Sequence, residues 1–270
     1  MRLYDAHNHL QDPRLGSDAA SLVASSSQEG VVRMVVNGSC EEDWPAVLAL
    51  ARKHGEVIPS FGYHPWYVKE RTSGWRDVLT RALEEVPSAI GEIGLDRWIK
   101  DHDLPEQEEV FVWQLRLAAE RELPVSIHCL QAWGRMLELL QANPRPGCGF
   151  LLHSYGGPLE MIPPLAKLGA YFSLPGYFAH ERKERQRETF RHVPPDRLLI
   201  ETDAPDRLLP DERNRHPMVD PASGKPVNHP ANLRAVYDFA AELTGGPVEQ
   251  FAVRVEQNFQ QLFRRFLSNP

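Results

Sequence analysis

Short, mostly apolar runs alternate along the chain with stretches in which apolar residues recur every three to four positions. Eight such runs stand out: Leu3–Ala6, Val31–Val36, Val57–Phe61, Ala89–Ile93, Pro124–His128, Phe150–His153, Ala170–Leu174 and Leu198–Glu201. Runs of this length, rich in Val, Ile, Leu and Phe, are typical of strands buried on both faces of a parallel sheet. Between them the period changes. Trp75, Val78, Leu79, Ala82, Leu83 and Val86 fall on one face of a helix that Pro87 stops. Trp44, Val47, Leu48 and Ala51 form a second stripe, ending near Gly55, and Trp133, Met136, Leu137 and Leu140 a third. The charged segment His180–His192 reads as a solvated helix over one rim. Leu233, Val236, Tyr237 and Ala240, and then Val255, Phe259, Leu262 and Phe266, mark two C-terminal helices. Eight strands alternating with helices predict an α/β fold, a (β/α)8 TIM barrel with extra C-terminal helices. The alternative is a doubly wound open sheet, but no glycine-rich phosphate loop follows the first strand.

Composition narrows this picture in three ways. A chain of 270 residues suits one barrel, so residues 1-270 are expected to form a single domain. No apolar run approaches the roughly 20 residues that cross a bilayer, and Met1-Arg2-Leu3-Tyr4-Asp5 lacks the apolar core of a signal peptide. Three irregularly spaced cysteines (Cys40, Cys129 and Cys148) form no disulfide framework, and the expected setting is cytoplasmic. A net charge of −7 argues against broad electrostatic binding of nucleic acid, so any grip on a polyanion must be local.

The polar residues are not scattered. In a parallel barrel the chemistry gathers at the carboxyl ends of the strands. Here the first run ends in Asp5-Ala6-His7-Asn8-His9, and the third leads into "GYHPW" with His64. The fourth ends in "GEIGLD" with Glu92 and Asp96, the fifth in "SIHC" with His128, the sixth in "LLHS" with His153, and the eighth in "IETD" with Glu201 and Asp203. His7 and His9, two positions apart on an extended chain, point to the same side and can converge on one ion. Taken singly, each residue reads as loop or turn chemistry. Together, at five strand ends, they read as a metal site. Imidazoles and carboxylates without converging thiolates suit divalent Zn, Mn, Fe, Co or Mg. Cys129 points away from His128 on a strand and reads as packing. Four histidines and two carboxylates exceed one tetrahedral site and suit two ions about 3.5–4 Å apart, which hold hydroxide near neutral pH.

The stretches "DAHNHL", "GYHPW", "AIGEIGLD", "QEEVFVWQLRLAAERELPVSIHC", "LLHSYGG", "IETDAP" and "GKPVNHPANL" run in one order from near residue 4 to near residue 233. In that order they resemble the TatD-related metal-dependent hydrolases of the amidohydrolase-like superfamily. The resemblance implies a distorted TIM barrel with a two-metal site, holding two divalent ions per chain (Mg, Mn or Zn). His7 and His9 would hold the first ion with Asp203 nearby, and His128 and His153 the second. Glu92 would bridge them, where several cousins carry a carbamylated lysine. His64 would contact the substrate phosphate, and Asp203 would move the proton of the attacking hydroxide. The implied activity is that of a deoxyribonuclease, a 3′–5′ exonuclease on single-stranded DNA or RNA. Nucleic acid is then the expected partner, with no obligate protein partner and a monomer or weak oligomer.

Several positions depart from the family pattern. Leu130 stands where an arginine commonly follows "HC", and Val227-Asn228-His229-Pro230 stands where "RNEP" is usual. The loop from Asp206 to Lys225 is long and brings Arg207, Arg213, Arg215, His216 and Lys225, which could restore positive charge at the mouth. Trp98 and Lys100 replace a commoner aromatic pair; Trp98 could stack on a base or pack on a helix. Asp96, Asn8 and Ser154 are candidates to orient ligands. The competing reading is a deacylase or amidohydrolase on the same site, since hydroxide between two ions attacks a carbonyl equally well. A non-catalytic binding protein is disfavoured by the intact set of candidate ligands.

Overall fold

A computed structural model describes residues 1–101 and 103–267. The eight strands run β1 (Leu3–Asn8), β2 (Val31–Asn37), β3 (Val57–Phe61), β4 (Ala89–Asp96), β5 (Val125–Leu130), β6 (Phe150–Leu152), β7 (Ala170–Pro175) and β8 (Leu198–Glu201). Each pairs in parallel with its neighbour in sequence, so the order around the sheet is β1 to β8 without reversal. An open doubly wound sheet would show a reversal, and the barrel reading holds. β8 meets β1 just beyond the strand ends, where Asp203 N donates to His7 O (3.0 Å) and His9 N to Ala204 O (2.8 Å). The seam of the barrel therefore sets three of the candidate site residues side by side.

The helices in chain order are α1 (Ala19–Gln28), α2 (Trp44–Lys53), α3 (Trp75–Glu85), α4 (Leu104–Arg121), α5 (Trp133–Ala142), α6 (Ile162–Lys167), α7 (Glu184–Phe190), α8 (Leu233–Thr244) and α9 (Val248–Phe263). α3 follows its sequence pattern closely: Trp75, Leu79 and Leu83 are buried against the sheet, and the chain turns extended at Val86. α4 starts where Asp103 accepts a bond from Glu106 N, relieving one of the unpaired N–H groups of the first turn. The charged segment after β7 differs from the single helix expected. It opens with two short 3-10 turns, Gly176–Ala179 and Glu181–Lys183, and only Glu184–Phe190 is α-helical. Buried Phe178 and Phe190 pack against each other and tie this rim segment to the core. The long loop after β8 carries a two-stranded hairpin, β9 (Pro217–Val219) with β10 (Pro226–Asn228).

Two glycines of β4 explain why this strand tolerates no side chain at their positions. At Gly91 (φ +156°) a Cβ would press on the inward-facing side chains of Ser126, Asn37 and Ser60 at 2.8–2.9 Å. At Gly94 (φ +153°) it would fall within the van der Waals radius of the His128 carbonyl oxygen. These close approaches bring β4 against β5 and place Glu92 at the centre of the mouth.

Candidate metal centre

Glu92 occupies the middle of the cluster, and its two carboxylate oxygens face different sets of imidazoles. Oε2 lies 3.2 Å from His7 Nε2 and 3.1 Å from His9 Nε2. Oε1 lies 3.1 Å from His128 Nδ1, 2.8 Å from His153 Nε2 and 3.2 Å from His64 Nε2. Asp203 adds Oδ1 at 3.6 Å from His7 and 3.8 Å from His9. Three groups of donors lie within 4.8 Å of one another: His7, His153 and Asp203; His7, His9 and Glu92; and His64, Glu92 and His128. All seven residues expected from the strand ends are thus brought together, and all but half-buried His9 are buried.

The far nitrogen of each ring reveals which nitrogen carries the proton. His9 Nδ1 lies 2.8 Å from the Asn37 carbonyl oxygen, which can only accept. His9 therefore carries its proton on Nδ1 and turns the Nε2 lone pair inward. His128 is held the other way round: Nε2 meets the Asp96 carboxylate at 3.0 Å, leaving Nδ1 bare toward Glu92. His7 Nδ1 bonds Ser126 Oγ at 2.7 Å. His153 Nδ1 is buried without a hydrogen-bond partner, 3.8 Å from Glu201 Oε1. His7 and His9 also oppose their Nε2 atoms at 3.3 Å, and His128 Nδ1 opposes His153 Nε2 at 3.3 Å. Lone pairs facing lone pairs and a carboxylate at these distances repel unless a cation lies between them, so the donor set fits divalent ions.

His64 is the exception. Its Nδ1 accepts a bond from Trp66 N at 3.1 Å, so the proton sits on Nε2 and points into the cluster. The ring presents a donor where its neighbours present acceptors.

Charge follows the same division. Burial would raise Glu92, but His153, His64 and His7 outweigh it and hold the carboxylate well below its ordinary range. Burial would likewise raise Asp203, yet His153, His7 and Arg207 keep it ionised. Burial would lower His9, but Glu92 and Asp203 lift it to about 9, so without a cation among them these carboxylates draw a second proton onto the Nε2 that is bare in the neutral ring. In His64 burial wins over Glu92 and lowers the imidazole to about 4, so it is a neutral N–H donor at pH 7.

The supporting residues divide too. Asp96 holds His128, and it also accepts from the indole Nε1 of Trp66 at 2.7 Å. Asn8 and Ser154 do not touch the rings: Asn8 donates to Asp5 Oδ2 (3.0 Å) and Ser154 to Glu201 Oε1 (2.5 Å), in a polar layer beneath the cluster. Asp5 there accepts from Thr202 N at 3.0 Å and is pushed up to about 7 by burial. Ser126 and the Asn37 carbonyl escaped the sequence reading. Ser126 had a signal, since it lies two positions before His128 on one strand and must share its face; a backbone carbonyl has none. Cys129 is buried and belongs to no donor group among the described residues. Trp98 is 68% exposed and does not pack on a helix, and Trp66 beside His64 is 53% exposed.

No helix among the described residues is long and apolar enough to cross a membrane. Comparison with known proteins places this architecture. A sequence model described as TatD related DNase matches residues 4–264. The metal-dependent hydrolase YjjV of Escherichia coli is 28% identical over 97% of this chain and 98% of its own length. A 3′-5′ ssDNA/RNA exonuclease TatD from Pantoea vagans is 32% identical over 97% of this chain and 99% of its own. The crystal structure of the Escherichia coli YjjV protein superposes with a TM-score of 0.88 at 27% identity, over 97% of this chain and 98% of that one. By sequence and by fold, the chain belongs to the TatD-related DNase family of hydrolases.

Proposed function

We propose that this protein is a two-metal phosphodiesterase that removes nucleotides from the 3′ end of single-stranded DNA or RNA. The observation that carries the reading is the division of Glu92: one oxygen serves His7 and His9, the other His128 and His153. A carboxylate shared in this way is the arrangement expected of a bridge between two ions. Relatives about 30% identical over nearly the whole chain carry the name 3′-5′ ssDNA/RNA exonuclease, which supports the substrate class.

In this reading His7, His9 and Asp203 would hold one ion and His128 and His153 the other, with Glu92 available to both groups. Imidazole-rich donors of this kind suit Zn or Mn, with Mg the harder-ligand alternative. The bound ions supply an acidified water and positive charge opposite the phosphoryl oxygens. His64 donates its Nε2–H to a non-bridging phosphoryl oxygen, stabilising charge that grows as phosphorus is attacked. Asp203 takes up the proton released by the attacking oxygen as that oxygen bonds to phosphorus, the P–O3′ bond breaks, and the departing 3′-oxygen gains a proton from water. Asp96 fixes the tautomer of His128 and Ser126 the orientation of the His7 ring, as metal-holding imidazoles would need.

The test sets two substrates side by side: a 5′-labelled single-stranded oligonucleotide and an aminoacyl ester, each with Mg, Mn or Zn and with chelator. The expected result is a ladder shortened from the 3′ end, lost on chelation. Ester cleavage with an intact oligonucleotide would move the protein to carbonyl chemistry.

A further inference from the structure

The long loop after β8 could restore positive charge at the mouth or equally mark a subfamily with a different substrate, and the ion pairs show which of its residues is placed near the cluster. Arg213 is bound to Glu242 (2.7 Å), Arg215 to Asp238 (2.9 Å) and His216 to Glu29 (3.3 Å), all away from the cluster. Arg207 alone of these turns toward it, with Nε 3.3 Å from Asp203 Oδ2, the carboxylate oxygen opposite the one that faces His7. Arg207 does not stand alone. Its guanidinium carbon lies 5.6 Å from the centre of the Tyr177 ring, at the end of β7. Arg182 Nη2 donates to Tyr177 Oη at 2.9 Å, and Lys183 Nζ lies 4.8 Å from the same ring centre.

Three cations thus surround one aromatic ring at the rim beside Asp203. Among the described residues no carboxylate pairs with Arg182 or Lys183, and Arg207 meets only Asp203. The Tyr177 phenol is held below its ordinary range, chiefly by the Arg182 hydrogen bond. The platform is also built to hold its place: His180 Nε2 donates to the Leu208 carbonyl oxygen at 3.1 Å, and Leu209 packs so closely over Gly176 that a Cβ there would lie 2.5 Å from Leu209 Cγ. Three cations with a single carboxylate among them, that of Asp203, next to a hydrolytic centre in a chain of net charge −7, imply an anion that arrives with the substrate.

We propose that Arg207, Arg182 and Lys183, arranged around Tyr177, form a seat for a second phosphate of the polynucleotide, the one next to the phosphate being cleaved. The seat supplies positive charge at the mouth, where Leu130 at the end of β5 brings none. It rests on the phosphodiesterase reading and deepens it: the preferred substrate is an oligonucleotide with at least two phosphates. Arg207 is a positioning group as well, since it fixes Asp203 until the substrate's phosphate competes for its guanidinium.

The test compares TpT, with one phosphate, against pTpT and TpTpT, with two, in wild type and in an Arg182→Ala/Lys183→Ala variant. In the wild type kcat/KM should rise at least about ten-fold from one phosphate to two, mainly through KM, and the variant should erase that gain. Gain with TpTpT but not pTpT assigns the seat to an internal phosphodiester; gain with both assigns it to either form. A second measurement needs no turnover: metal-free wild type should bind a fluorescein-labelled oligonucleotide several-fold more tightly than the variant, with a steeper salt dependence. Equal losses on TpT and TpTpT, or unchanged ratio and binding, would overturn the seat. If no phosphodiester is cleaved at all but the binding difference persists, the phosphodiesterase reading fails and the anion seat stands.

Discussion

At the scale of the residue, one hydrogen bond separates His64 from the other imidazoles. Its Nδ1 accepts from Trp66 N, so its Nε2 donates into the cluster, whereas His9 and His128 turn bare nitrogens inward. In the proposed mechanism the donor would face a phosphoryl oxygen and the bare nitrogens would hold metal. His64→Ala should therefore lower kcat on a phosphodiester by about 10²–10³-fold while metal content, read by elemental mass spectrometry, stays at the wild-type value. Loss of metal in that variant would make His64 a ligand. Asp203→Asn keeps the shape and removes the charge. It should reduce turnover by about 10²–10⁴-fold and leave the fold and at least one ion in place. Hydrolysis at the wild-type rate would end the proton-acceptor role.

At the scale of the element, the geometry of the mouth depends on how closely β4 approaches β5. Gly94→Ala sets a methyl group against the His128 carbonyl in a backbone conformation that L residues avoid. The expected cost is about 2–5 kcal/mol in denaturant unfolding. Gly134→Ala in α5, where nothing lies within 4 Å, should instead stabilise by up to about 1 kcal/mol. The turn at the start of α8 makes a prediction in pH. His229 Nδ1 accepts from Ala231 N at 3.0 Å, and the ring stacks on His216, which in turn meets Glu29. Burial lowers His229 to about 4, against an ordinary 6.5. The unfolded chain then binds a proton that the folded chain refuses, so stability present above pH 6.5 is lost as pH falls toward 4. His229→Asn keeps the cap and has no proton to gain. Its melting temperature should fall less than that of the wild type across that window; parallel curves would remove His229 from the acid response.

The elements also show where sequence pattern stops being informative. All eight strands were legible because parallel strands buried on both faces are rich in apolar residues, and strand ends such as "SIHC" and "IETD" mark their limits with polar ones. α1 left no comparable stripe: its sequence AASLVASSSQ is serine-rich, and only Leu22, Val23 and Ser26 are buried. α6 spans six residues with two prolines, too short for a period. The segment after β7 carried a helix's charge pattern, but buried Phe178 and Phe190 break it into turns. Within the site, the residues that converge could be read from residue type and strand position. The tautomers of His9 and His64 could not, because they are set by a backbone carbonyl of β2 and a backbone N–H at Trp66. The sequence also offered five basic residues in one loop, and pattern could not show that Arg213, Arg215 and His216 pair with carboxylates remote in sequence while Arg207 turns to Asp203.

For the molecule as a whole, barrel closure is what makes the site. Residues from position 7 to position 203 meet because β8 returns to β1, and the Asp203–His7 and His9–Ala204 hydrogen bonds fasten that seam. The lower layer of Asp5, Thr202, Glu201, Ser154 and Ser173 is hydrogen-bonded beneath the cluster and gives the imidazoles a fixed polar floor. Above it, the exposed indoles of Trp66 and Trp98 flank one side and the Tyr177 cations the other, so a strand laid across the mouth meets π surface and positive charge in turn. The central claim is that Glu92 joins two ions. Crystals of the protein loaded with Zn or Mn, recorded at the metal's absorption edge, test it most directly. The account predicts two anomalous peaks about 3.5–4 Å apart, one on each side of the Glu92 carboxylate; a single peak, or a pair that leaves one oxygen of Glu92 without metal, would contradict it.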